Sequence, residues 1–398
     1  MNSLTIYTNE IDDLEEAASE LFAQAEGFVF KRNTLGILFA EDESDYDGLY
    51  ELLAEKWDFP IIGCTAMAVL LGDIGYCGTG ISIMLLTADD CDFSIGMTDE
   101  LNSENFIEKI FETYRELKSS LPGEVKLVLT YGAMSTGNRN VSGDELVHAI
   151  DIIAGGIPIY GGLASDGLSF DKFRLFYNSK TSRTAQVLVL ISGNIDPRFI
   201  CVNSIENRAN FYYEVTKSHS NKVDRLGNET FVDALIHENL EVESTGIQGA
   251  YLLSPFVFTL KKPNGDSLEV ARTLMSLDRE TGAGNFIGGI PEGASLSIGI
   301  ISQNDVQKSV KKAFDYILNE LKSTEPECHT LLCNSCLARF LALASNTTAE
   351  AEAYTGSLPE GVSLMGMYAD GEICPVKGDI SGLYYNMFHN FTFTILAF

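Results

Sequence analysis

Ile159-Tyr160-Gly161-Gly162-Leu163-Ala164-Ser165-Asp166-Gly167 is the stretch on which the reading of the fold turns. An apolar pair leads into a glycine, two more residues and an alanine, and then a polar loop. The same phrase occurs twice more, as Ile61-Ile62-Gly63-Cys64-Thr65-Ala66 and as Leu364-Met365-Gly366-Met367-Tyr368-Ala369. Outward from each copy the context also repeats: a β-rich run and a helix-compatible stretch precede it, and a second β-rich run follows. Repeats of this kind mark a duplicated scaffold. Glycine turns at strand ends are where α/β proteins commonly hold ligands.

Around the second copy the pattern is clearest. Residues 125–131 form a nearly continuous apolar run, as expected of a strand covered on both faces. Ser142 and Glu145 make a capping-box pattern that starts a helix, and Gly155-Gly156 stops it. Residues 157–160 read as a strand ending in the glycine phrase, with 173–177 and 185–192 as hairpin strands after it. The first copy sits among strands at 4–7, 35–40, 60–64 and 80–86 and helices at 12–26, 46–57 and 106–119. Ser44 and Asp45 give a cap signal for the second of these helices. The third copy has a strand at 330–333, helix-compatible stretches at 337–345 and 349–355, a strand at 361–365 and a last β-branched, aromatic run at 391–396.

These elements predict an α/β fold: mixed β-sheets covered by helices, built from repeated strand-helix-strand-Gly-loop-strand units, with a layered αββα arrangement as one form it can take. Residues 199–243 read as less regular, and a domain boundary is expected at 240–246, giving domains 1–240 and 241–398. Residues 261–266, with Pro-Asn-Gly, read as a hairpin turn.

Composition narrows the function classes. The 398 residues carry 56 acids against 27 bases, a net charge of -29. That surface repels phosphate, so neither nucleic acid nor an anionic membrane is an expected partner. The N-terminus carries no basic-plus-apolar signal, and the eight cysteines read as reduced thiols, so a cytoplasmic location is expected. No Walker loop, His-Glu-x-x-His or nucleophile elbow is present, and the Gly-rich run 282–288 opens no helix, so no cofactor is expected.

Several short motifs, in order along nearly the whole chain, resemble the FIST proteins. They are Gly63-Cys64-Thr65; Tyr160-Gly161-Gly162-Leu163-Ala164-Ser165-Asp166; Val215-Thr216 leading to Val223-Asp224-Arg225-Leu226-Gly227; Ile290-Pro291-Glu292-Gly293; Cys336-Leu337-Ala338-Arg339; Gly371-Glu372-Ile373-Cys374-Pro375; and His389-Asn390-Phe391-Thr392. Ala338 departs from the glycine usual before the arginine. The resemblance implies a FIST N-terminal and a FIST C-terminal domain, and a sensory module that binds a small polar metabolite, amino acids being the usual proposal. It also implies action through a separate signalling output partner.

The polar residues after the glycine phrases carry the candidate site. Ser165 and Asp166 follow the second copy; Asp370 and Glu372 follow the third. An acid suits an ammonium group and an arginine suits a carboxylate, so Arg339 completes a minimal kit for a zwitterion. The alternative is an Arg339–Glu372 ion pair that orders two loops. His389 and Asn390 precede the last strand, as ligand contacts or as a turn and strand edge. Cys336 belongs to the ligand-binding set as well. Two further readings remain: a thiol enzyme using Cys336 or Cys64 with His389, and a protein-interaction scaffold. Cys328, His329, Cys333 and Cys336 have part of a zinc spacing, against a bland reading as packed thiols.

Overall fold

The computed structural model describes residues 1–134, 141–240, 253–321 and 330–398. All but the first residue of the expected boundary at 240–246, and Cys328 and His329, lie outside the described residues.

Three units share one element order. The first runs β1 (Asn2–Thr8), α1 (Leu14–Gln24), β2 (Asn33–Ala40), α2 (Tyr46–Ala54), β3 (Ile61–Thr65), the hairpin β4 (Val69–Leu71) and β5 (Gly75–Cys77), and β6 (Ile81–Ala88). The second repeats it as β7 (Cys91–Met97), α3 (Phe106–Ser120), β8 (Val125–Ala133), α4 (Gly143–Ala154), β9 (Ile159–Ala164), the hairpin β10 (Leu175–Tyr177) and β11 (Lys180–Ser182), and β12 (Val187–Gly193). The third opens with β13 (Arg198–Asn203) and is then interrupted. The insertion comprises β14 (Asn207–His219), β15 (Lys222–Leu226), β16 (Glu229–Thr230), α5 (Phe231–His237), β17 (Phe256–Lys261), β18 (Ser267–Arg272), β19 (Leu274–Asp278), β20 (Ala283–Phe286) and β21 (Ser295–Ile300). The unit resumes with α6 (Gln303–Leu321), β22 (Thr330–Cys336), α7 (Leu337–Ala342), α8 (Ala349–Glu352), β23 (Ser363–Ala369), the hairpin β24 (Glu372–Lys377) and β25 (Tyr384–His389), and β26 (Thr392–Ala397).

Each unit builds one six-stranded sheet, in the orders β1-β6-β2-β3-β10-β11, β7-β12-β8-β9-β24-β25 and β13-β26-β22-β23-β4-β5. The hairpins are exchanged: the first unit's hairpin extends the third sheet, the second's extends the first, and the third's extends the second. The exchange closes a ring, so no unit completes its sheet alone.

Packing follows from alternation along the strands, shifted once in β8 where its pairing with β12 skips a residue between Val125 and Leu127. In β8, Leu127, Leu129, Tyr131 and Ala133 face a central core shared by all three sheets. Val125 and Val128 face α3 and α4 instead. β2 divides likewise, Leu35, Ile37 and Phe39 inward and Leu38 and Ala40 toward α1 and α2. A strand buried on both faces needs apolar residues at both parities, which is why 127–131 is apolar but for Thr130. The mixed α/β class and the helix-covered sheets are as the sequence predicts. Ser142 forms the expected capping box with Glu145, and Gly155 ends α4 at φ 70°.

The glycine phrase is a strand, not a turn after one. Gly63, Gly161 and Gly366 sit inside β3, β9 and β23, each opposite a residue of the parallel central strand: Leu38, Thr130 and Cys333. At φ 153° and 154°, Gly63 and Gly161 bring the two backbones so close that a Cβ would lie 1.7 Å from the facing carbonyl oxygen. The glycines are there for backbone approach inside a sheet.

Other expectations shift with tertiary context. Residues 173–177 and 185–192 do not pair with each other: β10 joins β3 and β11, whereas β12 lies between β8 and β7. The stretch 199–243 is more regular than it reads. It holds the thirteen-residue β14, part of an eight-stranded sheet with its own core around Phe231, Phe256 and Phe286. The helices after Cys336 are shorter than expected, α7 closing at Ala342 and α8 at Glu352. The inserted sheet is fastened to the second unit by Arg272, whose Nη2 lies 2.7 Å from Asp144 Oδ1 in the first turn of α4. No described helix is long and apolar enough to cross a membrane.

Candidate functional site

The ends of β3, β9 and β23 meet around the ring. Ser165 N donates to Thr65 O at 3.0 Å and Asp370 N to Leu163 O at 3.2 Å. In return Leu163 N donates to Gly371 O at 2.9 Å, and Tyr368 N to Ala68 O at 3.0 Å. Backbone hydrogen bonds therefore hold the three post-glycine segments against one another. Their side chains differ: Ala66-Met67-Ala68 after β3, Ser165-Asp166 after β9, Asp370-Gly371-Glu372 after β23.

Four of the sequence-selected residues gather where the second and third segments meet, and they leave polar atoms without partners. Ser165 Oγ, both Asp370 carboxylate oxygens, Glu372 Oε1, and Asn390 Nδ2 and Oδ1 are buried and make no hydrogen bond. A Cβ on Gly371 would lie 3.4 Å from Asn390 Nδ2, which places that amide beside the loop carrying both acids. Burial pushes the Asp370 carboxyl well above the usual carboxylate range, and the charge of Asp166 adds to this, while the nearby Ser165 hydroxyl opposes it. Burial raises Glu372 in the same way, against the hydrogen bonds its Oε2 accepts from Thr392 Oγ1 at 2.7 Å and Thr392 N at 3.3 Å. An orphaned buried polar group costs about 1–3 kcal/mol. The Ser165 hydroxyl lies near the Asp370 carboxyl and offsets part of this, while Glu372 Oε1 and the Asn390 amide have no such neighbour.

Asp370 also lines a small cleft with Cys336, Leu168, Phe170, Thr273 and Ile287, at the seam between the ring and the inserted sheet. Its volume of about 20 Å³ has room for about one water. A metabolite would have to part the loop 166–173 from α7.

Asp166 and Arg339 are taken up elsewhere. Asp166 accepts from the backbone N–H of Phe170 (2.8 Å), Asp171 (2.8 Å) and Lys172 (2.6 Å), so its carboxylate shapes the loop that covers the cleft. Arg339 does not pair with Glu372. It is completely buried and donates to Glu350 Oε1 at 2.8 Å, with Ser204, Ser309 and Ser335 taking its other N–H groups. Glu350 is bound in turn by Tyr368 Oη at 2.8 Å. The expected ion pair exists with a different acid, which sits in α8 behind a stretch that carries no motif.

Cys336 lines the cleft, but burial raises its thiol well above the ordinary range, and burial raises Cys64 too. Among the described residues no cluster of three metal-ligating side chains forms. His389 Nε2 donates to Cys374 O at 3.0 Å and lies beside Cys201, not beside Cys336 or Cys64. The sequence reading missed Cys201, Cys374, Thr392 and Glu350. Cys374 and Thr392 lie within motifs already quoted; nothing local marks Cys201 or Glu350.

The fold is of mixed α/β architecture, three sheets covered by helices. The FIST N domain model matches residues 34–229 and the FIST C domain model residues 234–375, so the chain belongs to the FIST family of ligand-sensing signal-transduction domains. No curated protein matches it. Among solved structures, a cyanuric acid hydrolase from A. caulinodans is similar at 9% identity and a TM-score of 0.36, covering 99% of this chain and 97% of that one. A likeness at that level carries no argument about activity.

Proposed function

We propose that this chain senses a small polar metabolite bearing an ammonium group, an amino acid being the first candidate, and acts with a separate output partner. The observation that carries the reading is the set of six orphaned polar atoms on Ser165, Asp370, Glu372 and Asn390. Three of them are carboxylate oxygens. A ligand rich in N–H donors supplies what they lack. Asn390 Nδ2 and the Ser165 hydroxyl remain for a carbonyl or carboxylate, the role for which Arg339 is not free. A buried cation is stabilised only if its acids are charged, so binding expels the protons that burial keeps on Asp370 and Glu372. Affinity for an amine therefore rises with pH.

Thermal shift and calorimetry across amino acids and simple amines, at two pH values, test this. The expected result is stabilisation by one amine-bearing class, stronger at about pH 8 than at about pH 5.5, with a tenfold or greater loss of affinity in Asp370→Asn. If no amine or amino acid shifts the transition, and Asp370→Asn and Asn390→Ala respond as the wild type does, the reading fails.

A further inference from the structure

A second group of reactive side chains lies one turn of strand away from the orphaned acids. Cys201 stands in β13, the edge strand of the third sheet, and is half-buried. Its neighbour Phe199 packs against the central core, so this parity of the strand points inward, toward β24. Cys374 in β24 places its Sγ 3.6 Å from the carbonyl oxygen of Ile200, the residue before Cys201. The Cys374 thiol, the His389 ring and Thr392 all lie close to Cys201. His389 donates through Nε2 to Cys374 O at 3.0 Å, which fixes the tautomer and leaves Nδ1 for the Cys201 thiol. That is a nucleophile, a base and a carbonyl that orients the base.

We propose that Cys201, with His389 as its base and Cys374 as its partner thiol, is a site of hydroperoxide oxidation that ends in a Cys201–Cys374 disulfide. The thiolate attacks the distal oxygen of the peroxide and the O–O bond breaks. Cys201 becomes a sulfenic acid, and the departing alkoxide or hydroxide takes the proton held on His389. The Cys374 sulfur then attacks the Cys201 sulfur, the S–O bond breaks, and the Cys374 proton leaves with the hydroxide as water. The peroxide gains two electrons and the two thiols supply them.

Charge is arranged for this division of labour. The nearby Cys374 thiol and the neighbouring His389 hold the Cys201 thiol well below the ordinary cysteine range, against the effect of burial. Cys374 is pushed up by burial and by its charged neighbour, so it remains a thiol until the sulfenic acid forms. His389 is raised: burial opposes its charge, but the Cys201 thiolate outweighs that, while Arg272 works against it. Glu372 and Arg272 are the other titratable groups that face the thiols and the ring, and Lys312 and Lys377 line the cleft beside Cys201. A cleft of about 390 Å³ runs along β13, lined by Cys201, Lys312, Pro375, Lys377 and Tyr384 among others, and gives a small oxidant a route in. Cys64, Cys333 and Cys336 are completely or nearly completely buried with thiols pushed up, so they serve as internal controls. The disulfide would tie the third sheet to the second, two residues along β24 from Glu372.

The test is oxidation of the full chain by hydrogen peroxide at pH 6 to 8, with quenching and peptide mapping. Cys201 is expected to oxidise at least tenfold faster than a free thiol at pH 6, with a Cys201–Cys374 disulfide as the main product. In Cys374→Ser the reaction should stop at a sulfenic acid on Cys201 that dimedone traps. In His389→Gln the rate at pH 6 should drop at least tenfold and recover toward pH 8. Oxidation of Cys64, Cys333 or Cys336 ahead of Cys201, a Cys201 rate at or below that of free thiol, or a disulfide mapped elsewhere overturns the proposal. The wild-type map decides even if a variant fails to fold, and its outcome is independent of whether amines bind at Asp370.

Discussion

The segments after β3 and after β23 occupy equivalent places in the ring and are equally buried, yet one is apolar and the other carries acids. Ala66 and Ala68 are 2% and 4% exposed; Asp370 and Glu372 are 3% and 0% exposed. The alanines satisfy their surroundings by packing alone. The acids satisfy theirs only through hydrogen bonds, and three of their four carboxylate oxygens have none. The repeat thus supplies a scaffold position three times, and the residues placed on it decide whether that position is structural or chemical.

Substitutions at three kinds of position bear on this contrast. The largest effect is expected at the scaffold glycines. Gly161→Ala sets a Cβ 1.7 Å from Thr130 O, whereas Gly366→Ala sets it 2.8 Å from Cys333 O. The first should cost more than about 4 kcal/mol and leave little folded protein, the second about 1–3 kcal/mol. Urea unfolding of the two variants measures the difference; equal costs would show that the closer backbone approach is not what fixes Gly161.

Next is the buried ion pair. Glu350→Ala strands Arg339 at zero exposure and should destabilise by about 3–5 kcal/mol in the same assay. Glu372→Ala should cost far less, because Glu372 has one oxygen unpartnered and no cation bonded to it. A larger loss from Glu372→Ala would reassign Arg339 to the candidate site.

The smallest effect has the opposite sign. Burial raises the Asp370 carboxyl in the folded protein. The folded state therefore keeps a proton that the unfolded chain releases above about pH 4. Stability without ligand is greatest below that pH and is lost as pH rises toward the raised folded value. Asp370→Asn removes this loss and should stabilise the protein by about 1–2 kcal/mol at pH 8, flattening the profile of melting temperature against pH. Ser165→Ala should stay within about 0.5 kcal/mol. A steeper profile in Asp370→Asn would show that the carboxyl is satisfied after all.

Much of the fold was legible because its signals are local. Ser142 and Glu145 announced α4, 125–131 announced a strand covered on both faces, and the family motifs ran in order. The site was half legible. Ser165, Asp370, Glu372 and Asn390 were visible as polar residues following glycine strands or preceding the last strand, and they do converge. Asp166 and Arg339 looked the same from their sequence neighbourhoods, but their partners are satisfied elsewhere: three loop amides for one, Glu350 and a set of serines for the other. Cys201 was invisible, since a cysteine in an alternating strand gives no sign of what lies across from it.

The sequence by itself determined where strands, caps and close backbone approaches fall, and which residue types stand at each strand end. Period, capping chemistry and glycine all act within a few residues. Only the tertiary structure decided which hairpin completes which sheet, that Arg339 belongs to Glu350, and that His389 meets Cys201. Those outcomes depend on the exchange of hairpins around the ring, which brings together groups from remote parts of the chain, and no local pattern encodes a partner that distance away.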